Sequence, residues 1–294
     1  MKEVADLLLL CVALVFLIFA SISDIKKKEI PNWLSISLLA IALAIRGIAA
    51  LTMQEASYFY WALIAAAIVY GISELLYRGM VFGGGDFRIL VALAAVFATK
   101  PYFVQESALG EPFLITFFIN ALFVGSLWGV FSAIVFFFKL GDKEKKDFSK
   151  EFKEISKRKD TRLLRILFFA AAFLFLVFAF IGEYYFLIIS AILIIYPFLY
   201  VFIKVAEHKF LIKLVSPDKL TEGDWLAEPV KIGNKVLKKT SDGLTKQDIE
   251  LIKKAKKEVY ILEGIVFIPS ILVGLLISLF VGNILFLIAQ GILS

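Results

Sequence analysis

Histidine and cysteine occur once each in this 294-residue chain, as His208 and Cys11. One histidine rules out an HExxH motif and any multi-histidine metal site. A serine triad would have to use His208, which stands in a basic stretch beside an apolar run, with no nucleophile motif near it; it is read as an interfacial residue. One cysteine excludes an internal disulfide and a CxxC metal knuckle, and Cys11 falls inside an apolar run, facing lipid or packed. Charge is also scarce, at 20% of residues against 61% hydrophobic. The one dense glycine cluster, Gly83-Gly84-Gly85-Asp86, lacks the Lys-Ser/Thr of a phosphate-binding loop, and its aspartate would repel an anion. No internal sequence repeat is visible.

What is abundant is apolar surface. The chain holds 30 Phe, and its mean hydropathy is +0.88. Runs of about twenty apolar residues recur, each long enough to cross a bilayer. Spans are expected at 4–23, 33–51, 57–77, 87–104, 112–138, 164–181, 184–203 and 262–290. The fourth is interrupted by Lys100-Pro101. The last contains Pro269 and Asn283, which would bend it or end it early. The first run has no small-residue cleavage site and leads into a polar motif, so it reads as a retained helix rather than a signal peptide. The expected fold class is all-α: a polytopic helical membrane protein of about eight transmembrane helices with a small cytosolic module.

Charge placement gives an orientation. Take residues 24–32, 78–88, 139–165 and 204–258 as lying on one side. That side holds all but three of the 32 Lys and Arg, the exceptions being Lys2, Arg46 and Lys100. By the positive-inside rule it is the cytoplasm, which puts the N-terminus outside. The net charge of +6 is then accounted for by topology and attraction to an anionic lipid bilayer, and nucleic acid is not needed as a partner. Arg46, near the outer end of its span, is expected to snorkel.

Two polar segments interrupt the hydrophobic pattern. Residues 141–162 read as a charged helix with a thin apolar stripe of Phe148, Phe152 and Ile155. Residues 204–258 are long enough for a small folded module. Within them Thr245-Lys246-Gln247-Asp248 resembles a capping box that opens a helix running through Glu258.

Chemistry then falls to carboxylates. Asp24 follows the first span in "SISDIKKKEIPNWL", and Asp86 follows three glycines in "FGGGDFRIL". Two spans separate them, so both return to the same side at comparable depth. Two carboxylates a few ångströms apart cannot both ionise; one holds a proton while the other activates water, which is the arrangement an aspartic protease needs. Gly83, Gly84 and Gly85 would take positive φ, pack closely and leave room for a substrate backbone beside Asp86. Each site also has a plainer reading: Asp24 as a polar helix flank, Asp86 as an N-cap.

The pair "DIKKKEIPN" (Asp24 to Asn32) and G-x-G-D over residues 83–86 resembles the type IV prepilin peptidase and archaeal preflagellin peptidase family of GxGD membrane aspartyl proteases. The resemblance covers roughly the first 140 residues and rests on D-x-K-x-x-x-I-P-N together with G-x-G-D. It implies that Asp24 and Asp86 form a catalytic dyad without metal or cofactor. It further implies partners that are pilin-like or archaellin precursors with a hydrophobic N-terminal helix, cut after a short basic leader on the cytoplasmic side of the cell membrane. The chain lacks the paired CxxC motifs usual in the bacterial enzymes and any evident methyl-donor site, so it resembles the archaeal branch. The implied layout is a peptidase-like membrane core over 1–140, a basic loop over 141–163, a transmembrane hairpin over 164–203, a module over 204–258 and a C-terminal membrane segment over 259–294.

Other residues enter with lesser roles. Glu74 would contact the basic leader or pair with Arg78 one turn on. Glu29, flanked by Lys26, Lys27 and Lys28, would do the same or stay an exposed charge. Pro31 is expected to open the next helix, with Asn32 capping it or holding the loop near Asp24. Three rival functions share some of these features. A presenilin-like intramembrane protease would carry a Tyr-Asp pair and a Pro-Ala-Leu, and neither is present. A transporter with intramembrane carboxylates would place them nearer the midplane, often within repeats. A non-enzymatic pilus scaffold is not separable by spacing.

Overall fold

The computed structural model describes residues 1–104, 110–180, 185–233, 235–264 and 266–293. Its helices are α1 (Lys2–Lys27), α2 (Asn32–Met53), α3 (Ser57–Arg78), α4 (Gly84–Val96), α5 (Phe113–Lys139), α6 (Asp142–Lys157), α7 (Lys159–Phe180), α8 (Tyr185–Leu211), α9 (Lys246–Lys254), α10 (Ile268–Phe280) and α11 (Ile284–Leu293). Five short strands lie between α8 and α10: β1 (Ile212–Val215), β2 (Trp225–Leu226), β3 (Val230–Ile232), β4 (Lys235–Leu237) and β5 (Val259–Leu262). With 74% of the chain helical, the all-α membrane class holds. Helices α1, α2, α3, α5, α7 and α8 are long and apolar enough to cross a bilayer. Backbone groups in lipid have no water to bond, and helices satisfy them internally.

Two of the eight expected spans are shorter than a bilayer. The apolar run from 87 ends as helix at Val96, so α4 has 13 residues and a length of about 20 Å, against the roughly 30 Å of hydrocarbon. It is enclosed rather than lipid-facing: Phe87 and every residue from Ile89 to Val96 are buried among α1, α2 and α3. The expected span at 262–290 breaks twice. Residues 259–262 belong to β5, and Gly282 turns the chain at φ +86° between α10 and α11. Pro269 lies in the first turn of α10, where its missing N–H has no helical partner to lose, so it opens the helix instead of kinking it. The seventh expected span begins at residue 184, which lies outside the described residues; α8 runs on to Leu211.

The membrane core packs on small side chains. Ala13 and Ala20 of α1, Ala42 of α2, Ala62 of α3 and Ala92, Ala94 and Ala95 of α4 are fully buried, which lets backbones approach closely where packing rather than hydrophobicity drives association. Gly274 of α10 meets α5 so tightly that an added Cβ would fall 2.5 Å from the Ala121 Cα. The α7–α8 hairpin is joined by the Ser190 hydroxyl, which donates to the Ala172 carbonyl at 3.0 Å, and by Phe168 stacked on Tyr196.

On the basic side, α6 forms as its apolar stripe predicts, with Phe148 and Ile155 buried against Phe137 and Phe202 of α5 and α8. The strand module has an antiparallel sheet in the order β1-β5-β2, a β3–β4 hairpin, and α9 over a core of Leu226, Ile249, Ile252 and Val259. The Thr245 capping box is present, its hydroxyl accepting from the Asp248 amide at 3.2 Å. The helix it opens ends at Lys254 rather than Glu258, because the chain beyond is drawn into β5, paired on both edges.

Candidate active site

Asp24 sits in the last turn of α1, only 4% exposed. The chain leaves that helix through Lys28 in the left-handed region (φ 55°), turning toward α2. The Asp24 carboxylate does not hang free at the helix end. Its Oδ2 accepts the backbone N–H groups of Phe267 at 2.8 Å and Ile268 at 2.9 Å. Those amides open α10 and have no partner within that helix, so an aspartate from α1 satisfies them.

Asp86 is the third residue of α4, half-buried, and its Oδ2 accepts the Gly83 N–H at 3.2 Å. The chain thus brings the start of the short helix against the loop that follows Asp24, with the two aspartates 62 positions apart in sequence, and each carboxylate has one oxygen held by backbone N–H.

The glycines do this in a different way from the one expected. None of Gly83, Gly84 or Gly85 has positive φ; Gly83 is extended and caps α4. Gly85 is the position that permits the approach: an added Cβ would lie 2.8 Å from the Ile30 Cβ, so only glycine lets α4 press against the loop that follows Asp24. At Gly84 the nearest atom to an added Cβ is on Tyr77 at 3.5 Å, an ordinary contact. Around them Phe87 packs against Tyr70 and Tyr77, and Phe82 stacks on Phe267 at 5.4 Å.

Pro31 caps α2 rather than occupying its first turn. Asn32 neither caps the helix through its side chain nor reaches Asp24. Its Oδ1 accepts from the Arg88 guanidinium at 2.7 Å, tying the start of α2 to α4. Glu74 pairs with Arg78 at 2.9 Å, and Glu29 is exposed. His208 pairs with Glu151 on the basic side, at 2.9 Å. Among the described residues no group of three or more His, Cys, Asp or Glu is placed to hold a metal ion.

Arg46 does not snorkel. It is fully buried and donates to the Val96 carbonyl at 2.8 Å, to the Tyr58 carbonyl at 3.0 Å and to the Thr99 hydroxyl at 3.2 Å, with its guanidinium over the Tyr58 ring. The Tyr58 hydroxyl in turn donates to Asp6 of α1, which also accepts the Tyr102 N–H at 2.9 Å. This network closes the end of α4 opposite Asp86: its last carbonyl, that of Val96, which would be an orphan in an apolar surround, meets a cation. Sequence reasoning singles out neither this network nor the Phe267 and Ile268 amides. The one signal for the latter is Pro269, a residue at home in a first helical turn.

Residues 11–130 match the type IV leader peptidase family. Over 113 residues the chain is 31% identical to a protein named prepilin peptidase EppA from Methanothermobacter thermautotrophicus, an overlap covering 38% of this chain and 29% of that relative. No solved structure matches. Both aspartates lie within the stretch matched to the leader peptidase family, whereas α10 and the strand module lie outside it.

Proposed function

We propose that this protein is an aspartic endopeptidase of the membrane, cutting short basic leaders from pilin-like or archaellin precursors at the cytoplasmic face, with Asp24 and Asp86 as its dyad. One observation carries the reading. The two carboxylates that the leader-peptidase resemblance singles out stand at the end of α1 and the start of α4, inside the family-matched stretch, where Gly85 of α4 packs against Ile30 of the loop that follows Asp24. The family and the relative's name support a prepilin-type peptidase.

The chemistry follows from a shared proton. The ionised aspartate takes a proton from water as the water oxygen bonds to the scissile carbonyl carbon, and the protonated partner donates to the leaving amide nitrogen as the C–N bond breaks. The dyad ends with its proton exchanged between partners. A precursor with a hydrophobic helix would partition into the bilayer and slide against the spans, so that the bond just ahead of that helix reaches the level of both aspartates. The basic face argues against long-range attraction of a basic leader as the main recruiter.

The deciding experiment is processing of a leader-bearing pilin or archaellin precursor in proteoliposomes. Asp24→Asn and Asp86→Asn should each lower the rate by at least about a hundredfold, since general acid–base catalysis contributes 10²–10⁴ and asparagine cannot exchange the proton. Cleavage by either variant at the wild-type rate would refute the dyad.

A further inference from the structure

The family-matched stretch ends at residue 130, but the atoms that hold Asp24 come from residues 267 and 268. Contacts of Glu263 and Phe267 hold the segment that carries them, and one more ties the module to the site. Glu263 leaves β5 and forms ion pairs with Lys28, four residues after Asp24, at 2.8 Å and with Lys213 of β1 at 2.5 Å. The Phe267 ring stacks on Phe82, just ahead of Gly83, and packs on α5 where Gly125 leaves space: an added Cβ there would fall 2.5 Å from the ring. The Tyr77 hydroxyl, beside the glycines, donates to Asp242 of the module at 3.2 Å.

Resting on the peptidase reading above, we infer that the first turn of α10 is a positioning element of the proteolytic site. The Phe267 and Ile268 amides hold Asp24 Oδ2, so that Oδ1 is left for water and for Asp86, and the strand module sets the place of that turn through Glu263. Two fixed donors confine a carboxylate that would otherwise rotate about its Cα–Cβ and Cβ–Cγ bonds, and dyad chemistry needs that confinement because a misplacement of about 1 Å is felt strongly in rate. The site is therefore assembled from both ends of the chain, and the strand module is a working part of it.

The test compares alanine with proline at one position, in the full chain reconstituted with a leader-bearing pilin precursor. Ile268→Ala and Ile268→Pro lose similar packing, but proline also deletes the amide and disfavours the αR backbone of Phe267 (ψ −31°), so it disturbs both donors of the turn under test. Relative to Ile268→Ala, the proline variant should show kcat at least about tenfold lower with KM within about threefold. Equal kcat in the two variants would overturn the inference. Should the proline chain fail to insert, Glu263→Gln and Lys28→Gln carry the same test. Each should lower kcat by about three- to tenfold at unchanged KM, and the double variant should be no worse than the poorer single one. Wild-type kcat in both, or losses that multiply, would overturn it as well. Wild-type and Asp24→Asn chains run alongside: cleavage by the first and not the second leaves the peptidase reading standing whatever the proline result, whereas no cleavage by wild type sinks that reading first.

Discussion

Gly85 shows how narrowly one residue decides the approach of the two aspartates. Its missing side chain is filled by Ile30, so α4 can lie against the loop after Asp24 only while position 85 has no Cβ. Gly85→Ala should force the two apart or strain the loop, by about 1–3 kcal/mol if the packing holds, and lower the cleavage rate at least tenfold. Gly84→Ala, whose new methyl group meets only ordinary contacts, should keep most of it. Equal rates for the two variants would show that close packing at Gly85 is not what sets the geometry. The aspartates themselves are legible in the sequence because an even number of spans separates them and two motifs frame them. The role of each glycine is not. A G-x-G-D string offers three positions for backbone freedom, and which one faces a neighbour is settled by a loop more than fifty residues earlier.

At the scale of elements, α4 is the part the sequence misleads about. Ile89 to Ala98 is as apolar as a span, so hydropathy alone extends it through the bilayer. It stops at Val96, where Arg46 donates to the last carbonyl and is itself held by Thr99, and polar groups so placed allow a helix to end inside protein. The C-terminal segment misleads in the same way, for residues 259–262 pair as β5 and helix begins again only at Ile268. Burial alone would push the Glu263 carboxyl up, but Lys213 and Lys28 outweigh it and hold it below the usual carboxylate range. A depressed value contributes stability above the ordinary glutamate pKa of about 4.3, and that contribution is lost as pH falls through the folded value. Hydrogen exchange across residues 259–264 and 266–268, corrected for its intrinsic rate, should therefore show protection falling below about pH 4 in the wild type. Glu263→Gln should be less protected at neutral pH and lack that step; a step of equal size in both would assign it to other groups.

The whole molecule is two-sided. Residues after α1, the glycine turn and the strand module meet on one face through Lys28, Tyr77, Asp242 and Glu263. The basic residues make that face legible in sequence, since Lys and Arg cluster on the segments that come together there. Single cysteines introduced at exposed Lys150 and Lys239 of a Cys11→Ser chain should both react with an impermeant thiol reagent added from the cytoplasmic side, and neither from outside. Opposite labelling of the two would break the topology. The buried cation in α2 has a consequence of another kind, in how the chain is made. Alone in lipid, Arg46 costs its span about 2.5–3.5 kcal/mol if that residue lies near the bilayer centre, set against the gain from the apolar residues around it. Its helix-end partner, the Val96 carbonyl, is synthesised fifty residues later. A nascent chain stopped before α4 should therefore leave α2 extractable by alkaline carbonate, and Arg46→Leu should make it resistant at the same length. Alkaline resistance of the short wild-type chain would show that α2 enters lipid unaided. With extraction at the short length and resistance once α4 is made, the same guanidinium that closes α4 would also set an order of birth, α2 entering the bilayer together with the helix that carries Asp86.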